Sequence, residues 1–236
     1  MIAVVDYHKG NLKSVERGLR FVGGDARITD DPEAIRNASA IVLPGVGAYA
    51  DAVATMAELG QDEALRERIA AGVPFMGICL GLHLLFDEGV EGAPVGSPAH
   101  GLGFARGVVE RMPRLSADGA AFKVPHVGWN AVWPATPDGR YASKTAAEAA
   151  PASGEQCEPF ACPLLANVKP GEYFYFTHSY IVPETPRTVA VTTHSVTFPS
   201  AVQVSETAFG LQFHPEKSSD AGMLVLRNFV KFAERA

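Results

Sequence analysis

The chain has 236 residues, 47% apolar and 19% charged, with a net charge of −6 and no basic runs. Such a composition belongs to a globular chain with a sizeable core, and it argues against broad binding to nucleic-acid phosphates, which needs a basic face. The start, Met1 to Asp6, reads as a strand and not as a signal peptide, and no apolar stretch approaches the roughly 20 residues of a membrane helix.

Three cysteines, Cys79, Cys157 and Cys162, are too few and too scattered for a disulfide framework, so a reducing cytoplasm is the expected setting. No metal or other cofactor is expected.

In chain order, Ile2 to Val5 is an apolar run. Asn11 then stands as a helix N-cap ahead of Val15, Leu19 and Val22 at helical spacing. Ala40 to Leu43 is a second apolar run, ending at Pro44-Gly45. Tyr49 to Leu59 and Glu63 to Ile69 read as helices, Val73 to Ile78 as a third buried strand, and Leu80 to Phe86 as a helix. Strands alternating with helices imply βαβ units and a mainly parallel sheet.

The second half is strand-rich. Gly107 to Met112, Val127 to Val132, Tyr173 to Phe176, Val189 to Thr192, Ala201 to Val204 and Ala208 to Phe213 are strand-like, and a helix with Met223, Leu226, Phe229 and Val230 on one face closes the chain. The expectation is one α/β domain over 1–236, a parallel central sheet flanked by helices with antiparallel strands added on one side. From about Pro134 to Cys162 the Ala-, Pro-, Ser- and Glu-rich sequence reads as a long surface loop. Its two thiols, Cys157 and Cys162, have no neighbouring third or fourth ligand for zinc.

The stretch Gly77-Ile78-Cys79-Leu80-Gly81 follows a strand and opens a helix. Small residues two before and two after a nucleophile permit a sharp strand-to-helix turn. That turn would project the Cys79 sulfur from the carboxyl edge of the sheet, set it at a helix N-terminus, and free the Leu80 N–H for a developing oxyanion. A lone buried cysteine is more often structural; the two flanking glycines favour the nucleophile.

A cysteine nucleophile needs a base. His214 ends a strand-like run and is followed by Pro215 and Glu216, and residues two apart in an extended chain face the same side. Alone, His-Pro-Glu is more often a turn; with Cys79 it makes a Cys–His–Glu triad. Pro44-Gly45-Val46-Gly47 is either a plain β-to-α turn or a loop whose N–H groups complete an oxyanion hole with Leu80.

GICLG at Cys79 and GLQFHPE at Gly210 to Glu216 resemble the class I (triad) glutamine amidotransferases, a flavodoxin-like α/β family. Within them, Asp6-Tyr7 with Gly10-Asn11-Leu12, PGVGAY, KVPHVGWN, YFTHSY and HPEKS are similar to the glutaminase subunits of imidazole glycerol phosphate synthase. The resemblance implies hydrolysis of L-glutamine through a Cys79 thioester. Ammonia would pass to a (β/α)₈-barrel cyclase partner making imidazole glycerol phosphate and an aminoimidazole carboxamide ribotide. It also implies oxyanion donors at Val46 and Leu80, and substrate contacts at Gly45, Gly47, His178, Ser179 and Tyr180. Asn11, Trp129 and Lys217 would lie toward the cyclase. Activity would be weak until the partner reorients the PGVG loop.

Three departures stand out. His83 replaces the usual glutamine four residues after the nucleophile, and reads either as a substrate contact or as a structural residue. His8-Lys9 replaces small residues near the expected interface, and the 134–162 stretch resembles an insertion. Rival readings are another triad amidotransferase, a non-catalytic binding module on the same fold, and a cysteine peptidase.

Overall fold

The computed structural model describes residues 1–135 and 159–235. Strands β1 (Ile2–Val5), β3 (Ala40–Gly45) and β4 (Phe75–Cys79) are buried at every position. Their side chains divide between two cores with the two-residue period of a strand. Ile2, Val4, Ala40, Val42, Met76 and Ile78 face one core, and Ala3, Val5, Ile41, Leu43 and Phe75 the other. A strand covered on both faces needs no polar alternation, which is why these runs read as continuous.

Helices α1 (Leu12–Phe21) and α6 (Ser219–Ala233) close the first core with Val15, Leu19, Leu226 and Phe229. Helices α3 (Tyr49–Glu58) and α4 (Gln61–Ala70) close the second with Tyr49, Met56, Leu65 and Ile69. Asn11 does precede α1, but its side chain makes no capping hydrogen bond. Two elements carry no strong sequence pattern: the edge strand β2 (Ala26–Thr29), buried only at Ala26, and the short helix α2 (Pro32–Arg36), capped by Asp31.

Beyond β4 the main sheet adds β13 (Ala208–Leu211) in parallel. Then β12 (Thr197–Gln203), β11 (Thr188–Thr193), β8 (His126–Pro134) and β9 (Glu172–His178) follow, each antiparallel to its neighbour. Among the described residues the order is β2-β1-β3-β4-β13-β12-β11-β8-β9, the expected parallel core with an antiparallel extension. That extension curls back over the core. Although β9 is the last strand of the series, Thr177 O lies 3.8 Å from Cys79 Sγ, and the His214 N–H donates to Tyr175 O at 2.9 Å.

The helix expected over Leu80–Phe86 is cut short. Helix α5 is Leu80–His83, and Phe86–Gly89 is a strand, β5. The Leu84 carbonyl accepts from Leu102 N–H and that of Leu85 from Phe104 and Ala105 N–H, so these carbonyls serve a passing chain and not a helix. With β6 (Ala99–His100), β7 (Ala105–Arg111) and β10 (Tyr180–Ile181), β5 makes a four-stranded sheet in the order β10-β7-β5-β6. Leu80, Leu82, Leu84, Leu85 and Phe86 are all buried, and an apolar run of that length fits either element.

Most of the 134–162 stretch, Cys157 included, lies outside the described residues. Its described end is not a surface loop: Phe160 and Cys162 are buried in the first core, and burial pushes the Cys162 thiol up to about 11. Among the described residues no helix is long and apolar enough to cross a membrane, and no group of three or more metal-ligating side chains gathers.

Candidate active site

The turn at Cys79 follows from two close approaches. A Cβ at Gly81 would collide with the Leu43 carbonyl oxygen, and one at Gly77 with that of Gly81. Only bare backbone lets α5 fold back this tightly against β3 and β4. Cys79 itself has φ 54° and ψ −104°, a conformation L-residues avoid at a cost of roughly 1–3 kcal/mol. The sulfur is thereby held at the carboxyl edge of the sheet, 6% of the residue remaining exposed.

His214 follows β13 by a short bend, and Pro215–Lys217 forms a 3₁₀ turn. Glu216 therefore does not reach His214 along an extended chain, as the two-residue spacing suggested. The turn wraps it back, with Glu216 Oε1 2.9 Å from His214 Nδ1 and both side chains almost wholly buried. The turn is tied down by Ser218, whose hydroxyl donates to His214 O at 2.6 Å and accepts from Tyr175 N–H at 3.0 Å.

Because a carboxylate only accepts, Nδ1 carries a proton. The other ring nitrogen, Nε2, is buried and makes no hydrogen bond among the described residues. Burial pulls the His214 pKa down, but the charges of Cys79 and Glu216 outweigh it and raise it to about 10. His214 therefore favours its protonated form, lying between the Cys79 sulfur and the Glu216 carboxylate. Helix α5 is a single turn and has little macrodipole, so the cationic group beside the sulfur is His214 and not the helix.

A cavity of about 200 Å³ opens beside the sulfur, lined by Val46, Gly47, Cys79, Leu80, His83, Glu91, Pro125, Thr177, His178, Ser179 and Tyr180. Pockets for drug-sized ligands run to roughly 300–1,000 Å³, so this one suits a single small metabolite. Gly45, expected at the substrate, is set back from the cavity wall: it pairs with Cys79 in the ladder and abuts the Tyr7 phenol. Gly47 has φ 108°, which glycine takes without strain, and Val46 beside it is 42% exposed. Lys9, one of the unexpected residues, packs its stem against Gly47 and pairs with Asp51 at 3.0 Å.

His83 is buried and its Nε2 lies 2.8 Å from Gln212 Oε1, while Gln212 Nε2 points at Cys79 Sγ at 3.8 Å. Burial outweighs that hydrogen bond and lowers the His83 pKa to about 4, so the ring is neutral. His83 thus reaches the sulfur through Gln212 while also lining the cavity. Gln212 was not singled out from sequence, although a polar residue between Leu211 and Phe213 was the available signal.

Glu91 was missed altogether. It is half-buried on the cavity wall, and burial, only partly offset by Arg111, raises its carboxyl to about 7. As a single acidic residue in a connection without periodicity, it carried no signal.

Of the residues expected at a partner surface, Trp129 and Lys217 are brought together. The Trp129 ring meets Tyr175 at 6.2 Å between centroids, and Lys217 Nζ sits 5.7 Å over the same Tyr175 ring. Val127, Trp129 and Tyr173 are each at least half exposed on the β8–β9 ribbon. Asn11 is partly exposed at the start of α1.

The chain matches the family model described as glutamine amidotransferase class-I over residues 3–232. It is 38% identical to the imidazole glycerol phosphate synthase subunit HisH of Caldanaerobacter subterraneus subsp. tengcongensis over 231 residues, 97% of both chains. It is 40% identical to that of Moorella thermoacetica, covering 100% of this chain and 96% of the relative. A solved glutamine amidotransferase superposes with a TM-score of 0.65 at 18% identity, covering 99% of this chain and 100% of its own. The chain belongs to the class-I glutamine amidotransferases, among the HisH subunits of imidazole glycerol phosphate synthase.

Proposed function

We propose that this chain hydrolyses glutamine at Cys79 and delivers the ammonia to a (β/α)₈-barrel cyclase docked on the Trp129–Lys217 face. The observation that carries the reading is the buried His214, 2.9 Å from Glu216 and with its pKa raised by Cys79 and Glu216, beside a Cys79-lined cavity of amino-acid size.

In this mechanism the thiolate attacks the side-chain carboxamide carbon, and the Leu80 and Val46 N–H groups hold the resulting oxyanion. The His214 imidazolium gives its Nε2 proton to the amine, which leaves as ammonia as the C–N bond breaks. A water then loses a proton to His214 and attacks the thioester, releasing glutamate and restoring the ion pair. Ammonia freed into neutral water would become non-nucleophilic ammonium, which favours transfer through a partner's interior. Val127, Trp129 and Tyr173 supply an apolar, aromatic surface for that partner.

Glutamine hydrolysis by the isolated chain, compared with the chain plus cyclase and cyclase ligand, tests this. The expected result is slow turnover alone and a large rise in kcat with both; full-rate hydrolysis by the isolated chain overturns the partner-dependent part.

Glu91 is assigned to the substrate α-ammonium as the acidic group on the cavity wall. Glu91→Gln is expected to raise KM about ten- to a hundredfold, the usual size of a charge-assisted hydrogen bond, with little change in kcat. The pH dependence has a definite sign. With the empty-site carboxyl raised to about 7, glutamine binding weakens as pH falls through 7, and Glu91→Gln removes that dependence. A KM that is unchanged in the variant removes Glu91 from the site.

A further inference from the structure

The pair of motifs KVPHVGWN and THSY is left without a role by the triad chemistry, yet the fold joins them directly. His126 on β8 stands opposite His178 on β9 in the ladder. His126 Nδ1 lies 3.1 Å from His178 Nε2, and His126 Nε2 lies 3.3 Å from Asn130 Nδ2.

The direction of every proton in this chain can be read from its ends. The Asn130 amide is oriented by the Ala131 N–H, which its Oδ1 accepts at 2.8 Å, and by Thr193 O, to which its Nδ2 donates at 2.9 Å. Its second amide proton therefore points to His126 Nε2, which must be bare. At the far end, His178 Nδ1 is 2.9 Å from the Tyr180 carbonyl, which can only accept. His178 Nε2 is then bare in the neutral ring, and His126 Nδ1–H fills it. The chain runs one way, from Asn130 through His126 and His178 to Tyr180 O.

Burial keeps both rings neutral: it is the main cause that lowers His126 to about 4 and holds His178 well below the ordinary imidazole range. His126 also stacks on His194 at 4.2 Å and on Phe176 at 5.0 Å, which fixes its plane. The two ends face different spaces. His178 lines the cavity beside Cys79, and Asn130 and His126 line a second cavity of about 630 Å³ together with Trp129 and Tyr173.

The strand is suited to this. Gly128, between His126 and Asn130, has φ 137°, a left-handed value that glycine takes without strain, and the β8–β9 ladder runs through it unbroken, while the intervening Val127 and Trp129 turn outward and are exposed.

From this geometry we infer that His126 and Asn130 are positioning residues for glutamine hydrolysis: their one-way hydrogen-bond chain holds the His178 ring, and with it the 178–180 wall on which the substrate rests. The same strand carries Trp129, so a partner that shifts β8 on docking shifts that wall. The inference rests on the reading of the Cys79 cavity as the glutamine site.

Two measurements test it. Nitrogen-15 NMR of the wild-type imidazoles should find both His126 and His178 neutral and protonated on Nδ1. Asn130→Asp replaces the donor with acceptors, so His126 should move its proton to Nε2, and KM for glutamine should rise about tenfold with a smaller change in kcat. If Asn130→Asp does not fold, Asn130→Ala carries the same KM criterion. A wild-type ring protonated on Nε2, or an unchanged KM in the folded variant, overturns the proposal. A wild type with no saturable glutamine dependence instead defeats the glutamine-site reading itself, while the NMR result still judges the chain.

Discussion

Cys79→Ala is expected to remove glutamine hydrolysis to the assay floor, a loss on the order of 10⁶ in kcat, with the fold intact. The magnitude follows from losing a nucleophile that acts as one unit with its base, where removal of one member costs nearly as much as removal of all. Stability should change little. Besides its interaction with His214, the thiol makes long contacts to Thr177 O and from Gln212 Nε2, both at 3.8 Å, and alanine is free of the reactive group without filling new space. The comparison is made with the cyclase and its ligand present, so that the wild type is at its full rate. Substantial turnover remaining in Cys79→Ala would remove the covalent mechanism.

Glu216→Gln should be the next largest loss, about 10³–10⁴ in kcat, the scale seen when the orienting carboxylate of a triad is made an amide. Among the described residues Glu216 is the carboxylate bonded to His214, at 2.9 Å, and its second oxygen has no partner there. The substitution therefore removes a buried charge and can present an amide N–H where an acceptor is needed. Because Glu216 is among the causes that hold His214 near 10, its removal lowers that value. The alkaline limb of the pH–rate profile should accordingly move toward neutrality in the variant. A limb that stays in place would show that Glu216 does not act on the imidazole.

How much of this was legible in sequence depends on how local each requirement is. The turn at Cys79 was readable because the residues that permit it lie within five positions: Gly77 and Gly81 meet carbonyl oxygens, of Gly81 and of Leu43 on β3, that leave no room for a side chain. His214 and Glu216 were readable as neighbours, but by the wrong geometry, since Pro215 starts a 3₁₀ turn and not an extended segment. The helix after Cys79 was overextended because Leu80 to Phe86 is apolar but for Gly81 and His83, and only the Leu102–Ala105 chain decides that its later carbonyls go elsewhere.

Glu91 and Gln212 depend on long-range packing. Glu91 reaches the cavity from the connection after β5, in a small sheet that the sequence pattern does not announce. Thr177 and His178 are placed by the curl that returns the edge strand β9 to the sulfur, and no local periodicity encodes that return. The motif pair that supported the family resemblance has a physical content visible only in the fold: His126 and His178 are cross-strand partners.

In the proposed mechanism Cys79 becomes covalently acylated during glutamine hydrolysis. The most direct measurement is acid quenching of the chain turning over glutamine with the cyclase and its ligand, followed by peptide mapping by mass spectrometry. A glutamyl thioester is expected on the peptide carrying Cys79, absent from those carrying Cys157 and Cys162, and lost in Cys79→Ala. A glutamyl adduct at another residue, or one that persists in Cys79→Ala, would contradict it.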